Sequence, residues 1–311
     1  MKSPRTPQCG PLLPGGDERC SLSSVSGIYN GKNSPWPLLA VDRDAMIDVH
    51  HHLLYGLDDG AETIEDSIAM AKMAVEDGIT HVVCTPHASH RYKFRQEENA
   101  VRLASLRAEL ASRGVPLVLG QGCDLHLSWD NIQDAKANPA KYSINGKQYI
   151  LVELPDQFIP AGLSDTFIDL QSAGLMPIVT HPERNPAVQR DPSKMKAWLE
   201  EGVLVQVTAG AVLGRFGSKA QALSHRFLEN RWVHIIATDA HNTSSRPPKM
   251  REAFELIGKT FGHDTAHRLC VSTPLDVFEG KVLGPQPRPA GLEDDGRPME
   301  KKSLLGRFFG R

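Results

Sequence analysis

Between positions 46 and 283 the chain alternates short β-branched runs with amphipathic helical runs, and this alternation constrains the fold more than any other feature. The strand candidates are 46–49, 81–84, 117–119, 149–152, 177–179, 203–207 and 233–237. Between them lie helical patterns at 64–76, 99–113, 163–172, 193–200, 219–230 and 249–260. Gly78, Gly114, Gly174 and Gly202 follow four of these runs, as left-handed helix C-caps prefer. Asp191-Pro192 and Pro247-Pro248 suit helix starts, where proline's missing N–H is harmless. Regular strand–helix alternation predicts an α/β fold, a mainly parallel sheet or TIM-barrel-like closure. Seven strands are one short of the eightfold barrel, so a distorted closure is expected.

The flanks read differently. Residues 1–45 are rich in Pro, Gly and Ser without periodicity, and predict a disordered extension that cannot offset its ordering entropy. No apolar core follows the basic start, so a secretory signal is not expected, and no run approaches the ~20 apolar residues of a membrane-spanning helix. Residues 284–311 predict a flexible tail whose basic, aromatic end (Lys301 to Arg311) suits a frayed terminus better than contact with a membrane surface or partner. A single domain over 46–283 is expected, with Met46 an alternative start of translation. Five scattered cysteines suggest a reducing compartment, the cytoplasm. With 35 Lys+Arg against 37 Asp+Glu, the net charge of −2 argues against nucleic acid as partner.

Thirteen histidines are many for 311 residues, and five follow strand candidates: His50 and His52, His87, His181, and His241. Carboxylates stand at further strand ends, at Asp124, Glu153 and Asp239. The C-terminal ends of parallel strands are where α/β barrels place their chemistry. Residues i and i+2 share a strand face, so Asp48, His50 and His52 are expected to converge, as are Asp239 and His241. Imidazoles and carboxylates aimed into one volume are badly desolvated unless a cation lies between them. This set exceeds one ion's needs and suits two or three divalent ions. Mixed N/O ligation without thiolate fits Mn²⁺ first, with Fe²⁺ or Zn²⁺ as alternatives. His51 projects away and is expected to pack or hydrogen-bond.

The motifs Met46-Ile-Asp-Val-His-His-His, Gly56-Leu-Asp-Asp-Gly60, Thr85-Pro-His87, Val152-Glu153, His181-Pro-Glu-Arg184 and Thr238-Asp-Ala-His-Asn242 resemble the PHP (polymerase and histidinol phosphatase) superfamily. Within it the chain is most similar to the bacterial metal-dependent protein-tyrosine phosphatases of capsule and exopolysaccharide loci, the CpsB/CapC type. The resemblance implies a distorted (β/α)7 PHP barrel, a trinuclear metal cluster, phosphotyrosine hydrolysis and a bacterial tyrosine autokinase as substrate. It carries ligand roles onto His50, His52, His87, Glu153, His181, Asp239 and His241. It implies supporting places for Asp48, Asp58, Asp59, Glu183 and Asn242. Asp124 departs from the Glu usual at its position, and Ala88 stands where many relatives have a second His; His90 is expected to be a surface residue.

A metal cluster that lowers a water's pKa towards ~7 makes phosphoester hydrolysis possible at neutral pH, and guanidinium forks match phosphoryl oxygens. Arg184 and Arg246 are the candidates, at positions that correspond to phosphate-binding ones in the family. A cysteine nucleophile would need Cys–x₅–Arg, but positions six beyond Cys84 and Cys123 are His90 and Trp129. The competing readings are a small-molecule phosphatase (histidinol phosphate or nucleotide) with a deeper pocket, a phosphodiesterase with a basic groove, and a non-enzymatic descendant lacking ligands.

Overall fold

The computed structural model describes residues 44–292; the predicted extension up to residue 43 and the basic, aromatic end from 301 lie outside the described residues. Among the described residues nine strands form: β1 (Met46–His51), β2 (Ile79–Cys84), β3 (His87–Ala88), β4 (Val118–Gln121), β5 (Asp124–His126), β6 (Tyr149–Glu153), β7 (Met176–Thr180), β8 (Leu204–Thr208) and β9 (Ile235–Ala237). Every ladder is parallel, in the orders β1-β2-β4 and β3-β5-β6-β7-β8-β9.

Nine strands occupy seven staves. Thr85-Pro86 interrupts one stave between β2 and β3, because proline has no N–H for the ladder. Gly122-Cys123 interrupts the next between β4 and β5, and backbone bonds carry the pairing across both breaks: Gly122 N–H to Cys84 C=O at 2.9 Å and Asp124 N–H to Pro86 C=O at 3.2 Å. The ring closes between β1 and the end of β9, where His51 bridges Ala240 in parallel and Asp239 N–H donates to His50 C=O at 2.9 Å. The expected α/β barrel of seven staves is what forms, and its distortion lies in the two broken staves.

Period-2 alternation sorts the apolar side chains. Ile47, Leu151, Ile178, Leu204 and Ile235 fill the barrel interior, while Ile150, Val152, Val179, Val205 and Ile236 face the helices. Helices at Ile64–Glu76 and Leu163–Ser172 match the predicted spans. The first starts at Thr63, whose hydroxyl accepts from Asp66 N–H while the Asp66 carboxylate accepts from Thr63 N–H, a reciprocal cap. Short helices at Trp129–Ala137 and Thr273–Glu279 were not expected from sequence. Residues 284–292 depart from the predicted free tail: Trp232 Nε1–H donates to Ala290 C=O at 2.9 Å, and Ala290 N–H donates to Asn230 C=O at 2.8 Å.

Candidate metal centre

The inward columns change character along each stave. Leu151 gives way to Glu153, Ile178 to Thr180, and Leu204 to Gln206, so an apolar interior is capped by a polar layer at the C-terminal ends. The eight predicted ligands meet at this end. His50 and His52 bring their Nε2 atoms to 3.3 Å, and Asp239 Oδ1 lies 3.3 Å from each. Asp124 Oδ2 is 3.5 Å from His50 Nε2 and 3.2 Å from His87 Nδ1. Glu153 reaches His87 at 3.6 Å and His181 at 3.7 Å. Ligand atoms fall into four overlapping groups, each within 4.8 Å: His52, Asp59, His87 and His241; His50, His52 and Asp124; His50, His181 and Asp239; His87, Asp124 and Glu153.

Imidazole orientation is set from behind. His50 Nδ1 meets Gln206 Oε1 at 3.0 Å, His52 Nδ1 meets Asp58 Oδ2 at 2.8 Å, and His241 Nδ1 meets Asp239 C=O at 2.9 Å. An Nδ1–H donated to each acceptor leaves the Nε2 lone pair aimed into the cluster. Asp58 also accepts from Gly60 N–H and His87 N–H, at 2.9 and 3.0 Å, tying three segments together. Gly60 is required there, since a Cβ would lie 2.3 Å from the His52 carbonyl oxygen. His181 and Asp239 adopt left-handed backbone, φ 35° and 51°, a strained conformation for such residues that gathers at functional sites.

The carboxylates and imidazoles of the cluster set each other's ionisation. Burial opposes ionisation of Asp124 and Asp239, yet His50 and its neighbours hold both well below the usual carboxylate range. Burial alone would lower the imidazoles of His50 and His87; Asp124 in particular raises them to about 9 and about 10. Burial, reinforced by His52, pushes His241 down to about 4. Asp124 Oδ2, His87 Nδ1 and His241 Nε2 are buried without a hydrogen-bond partner. Imidazoles that hold protons only because ionised carboxylates face them, with buried polar atoms left unpartnered, are a set that fits divalent cations in place of those protons.

Several residues sit differently from the i, i+2 expectation. Asp48 does not join His50 and His52: its carboxylate accepts from Thr238 N–H at 3.0 Å and Thr238 Oγ–H at 2.5 Å. The register shift between Asp48 and His51 turns it away, and burial pushes it up to about 6. Asp59, expected in support, is grouped with His52, His87 and His241. Gln206, Thr180 (3.3 Å from Asp124) and His126 (3.7 Å from Glu153) were not anticipated; their signal is a polar side chain on an inward position or a strand end. His90 is exposed, as expected, whereas His51 is fully buried with neither nitrogen partnered.

Arg184 and Arg246 converge on one atom, both donating to Asp239 Oδ2. Glu183 does not pair with Arg184; it accepts from Thr208 N–H at 3.0 Å, and burial raises it to about 7. Asn242 Oδ1 accepts from the N–H groups of Ser244, Ser245 and Arg246 at 3.0, 2.8 and 3.1 Å, shaping the loop that presents Arg246. Cys84 and Cys123 are buried with thiols raised by burial, unsuited to nucleophilic attack.

Residues 46–279 match the capsular polysaccharide synthesis family CpsB/CapC. The chain belongs to that family. Among CpsB/CapC relatives, the tyrosine-protein phosphatase YwqE of Bacillus subtilis is 34% identical over 265 residues, covering 85% of this chain and all of the relative. The tyrosine-protein phosphatase CpsB of Streptococcus pneumoniae is 26% identical over 250 residues, 76% of this chain and all of that one. A crystal structure from the YwqE and CpsB pair, described as unique metal-dependent tyrosine phosphatases, superposes with a TM-score of 0.74 at 31% identity, covering 78% of this chain and 98% of that chain.

Proposed function

We propose that this chain is a metal-dependent protein-tyrosine phosphatase that removes phosphate from a bacterial tyrosine autokinase controlling capsule or exopolysaccharide synthesis. The carrying observation is the convergence of Arg184 and Arg246 beside four overlapping ligand groups, an anion cradle next to a cation cradle. His50, His52, His87, Asp124, Glu153, His181, Asp239 and His241 would hold the ions, with Asp59 added by its place in the first group. Such ions supply Lewis acidity towards phosphoryl oxygens and lower the pKa of water to about 7; Mn²⁺ is our choice for the mixed N/O donors.

The chain's own residues do the rest. Arg184 and Arg246 present guanidinium N–H groups to the phosphoryl oxygens and hold the ester against the ligand cluster. Asp58 and Gln206 keep His52 and His50 in the tautomer that binds a cation. A phenolic leaving group, of unperturbed pKa ~10, departs with less acid assistance than an alkoxide. Glu153 and Asp59 leave 18% and 46% of their side chains exposed, an open mouth that suits a phosphotyrosine carried on a protein better than a small metabolite in a deep pocket.

The phosphatase domain is residues 46–283, and a cytoplasmic location accords with three free, buried cysteines and with no helix among the described residues long and apolar enough to cross a membrane. The test is kcat/KM on phosphotyrosyl peptide, phosphoserine peptide and histidinol phosphate, after chelation and after return of Mn²⁺. Preference for phosphotyrosyl peptide that vanishes on chelation supports the reading; preference for histidinol phosphate, or full activity after chelation, overturns it.

A further inference from the structure

The Arg184 guanidinium lies over an aromatic face: its central carbon is 4.5 Å from the Phe216 ring centroid. Phe216 belongs to the loop between the short helix Ala209–Val212 and the helix Ser218–Glu229, remote in sequence from every candidate ligand. Three backbone bonds tighten this loop: Gly214 N–H to Ala211 C=O at 3.0 Å, Arg215 N–H to Gly210 C=O at 2.8 Å, and Gly217 N–H to Gly214 C=O at 3.1 Å. Gly210 makes room for the ring, since a Cβ there would meet Phe216 Cε2 at 2.9 Å. The turn that carries Arg184 is tied to the same frame, because Glu183 accepts from Thr208 N–H at the end of β8, immediately before Ala209.

We propose that Phe216 is a positioning residue for phosphate recognition, holding the Arg184 guanidinium with one face on the ring and its free N–H edge towards the phosphoryl group. A cation within about 6 Å of a ring centroid is attracted by the ring's quadrupole, and more strongly when water is excluded from that face. One end of the guanidinium is held by Asp239 and one face by Phe216, so the side chain keeps a single orientation before an anion arrives. An aliphatic side chain of similar bulk fills the space without this attraction. The idea rests on the phosphatase reading only for the identity of the anion.

The test uses the full chain loaded with Mn²⁺ for inhibition and with diamagnetic Zn²⁺ for NMR, with inorganic phosphate as the probe. Phe216→Leu removes the ring; Gly210→Ala keeps the ring but displaces its far edge, and serves if Phe216→Leu does not fold. Both are expected to weaken phosphate about threefold to thirtyfold, with metal content unchanged. Phe216→Leu should also abolish, and Gly210→Ala alter, the upfield ring-current shift of the Arg184 Nε–H resonance, assigned by its loss in Arg184→Lys. Phe216→Tyr should restore affinity and shift. Unchanged phosphate affinity in the folded variants overturns the proposal, as does a Phe216→Tyr variant as weak as Phe216→Leu. A parent protein that binds phosphate with this pattern but hydrolyses no phosphotyrosine sinks the phosphatase reading and leaves the role of Phe216 standing.

Discussion

His50 Nδ1 and Gln206 Oε1 lie 3.0 Å apart, both side chains fully buried beneath the candidate ligands. Gln206 therefore dictates which His50 nitrogen faces the cluster, and its backbone C=O also accepts from the N–H of His181 at 2.9 Å, a bond that a side-chain substitution leaves in place. Removing such a partner behind a metal-binding imidazole typically costs 10–100-fold in metal affinity. Gln206→Leu should weaken Mn²⁺ binding by about that factor, measured by competition with a chelator, while circular dichroism stays that of the parent. Gln206→Glu, which keeps an acceptor, should retain affinity.

Arg246 makes a different contribution. It donates to Asp239 Oδ2 from a loop held by Asn242, and donates no side-chain hydrogen bond to any imidazole of the cluster among the described residues. Arg246→Ala should leave the bound-metal content intact and reduce kcat/KM on phosphotyrosyl peptide about 10²-fold, the scale seen when one donor to a developing negative charge is removed. Loss of metal together with activity would make Arg246 a support of Asp239 instead.

The barrel was legible in the sequence because each stave carries a short apolar run and six of the seven runs, all but 203–207, are followed by His, Asp or Glu. His87 and Glu153 needed only their place after Val82-Val83-Cys84 and Ile150-Leu151-Val152. What escaped was pairing-dependent. Strands β3 and β5 have two and three residues, too short for periodicity, and exist because the ladder resumes past Pro86 and Gly122. Asp48 escaped because a register shift in β1 breaks the i, i+2 rule locally. Gln206 and Phe216 escaped because an amide amid Val205 and Val207, or an aromatic beside glycines, says nothing about the imidazole or guanidinium it meets from another stave.

The bond between Thr238 and Asp48 closes the barrel seam, and Thr238 Oγ1 also accepts from Ala240 N–H at 3.1 Å. Thr238→Val keeps the shape but leaves a buried carboxylate oxygen and a buried N–H short of partners, which costs roughly 1–3 kcal/mol. Urea unfolding of the metal-free protein should show that loss, with the m-value unchanged. A stability equal to the parent's would mean the seam is held by backbone pairing alone.

Acid sensitivity should have a source outside the metal centre, at His234. Its Nδ1 accepts from Val205 N–H at 3.2 Å, and burial, aided by the Arg268 charge, lowers the imidazole from 6.5 to about 4. Above pH 6.5 the ring is neutral in folded and unfolded chains alike, so pH has no effect through it. Between pH 6.5 and 4 the unfolded chain takes up a proton that the folded chain refuses, so stability falls as pH falls, by up to ~3 kcal/mol across the window. Asn at this position offers Val205 N–H an oxygen acceptor but cannot titrate. Metal-free His234→Asn should therefore lose less stability than metal-free parent between pH 7 and 4.5, each followed by urea unfolding; parallel pH profiles would remove His234 as the cause.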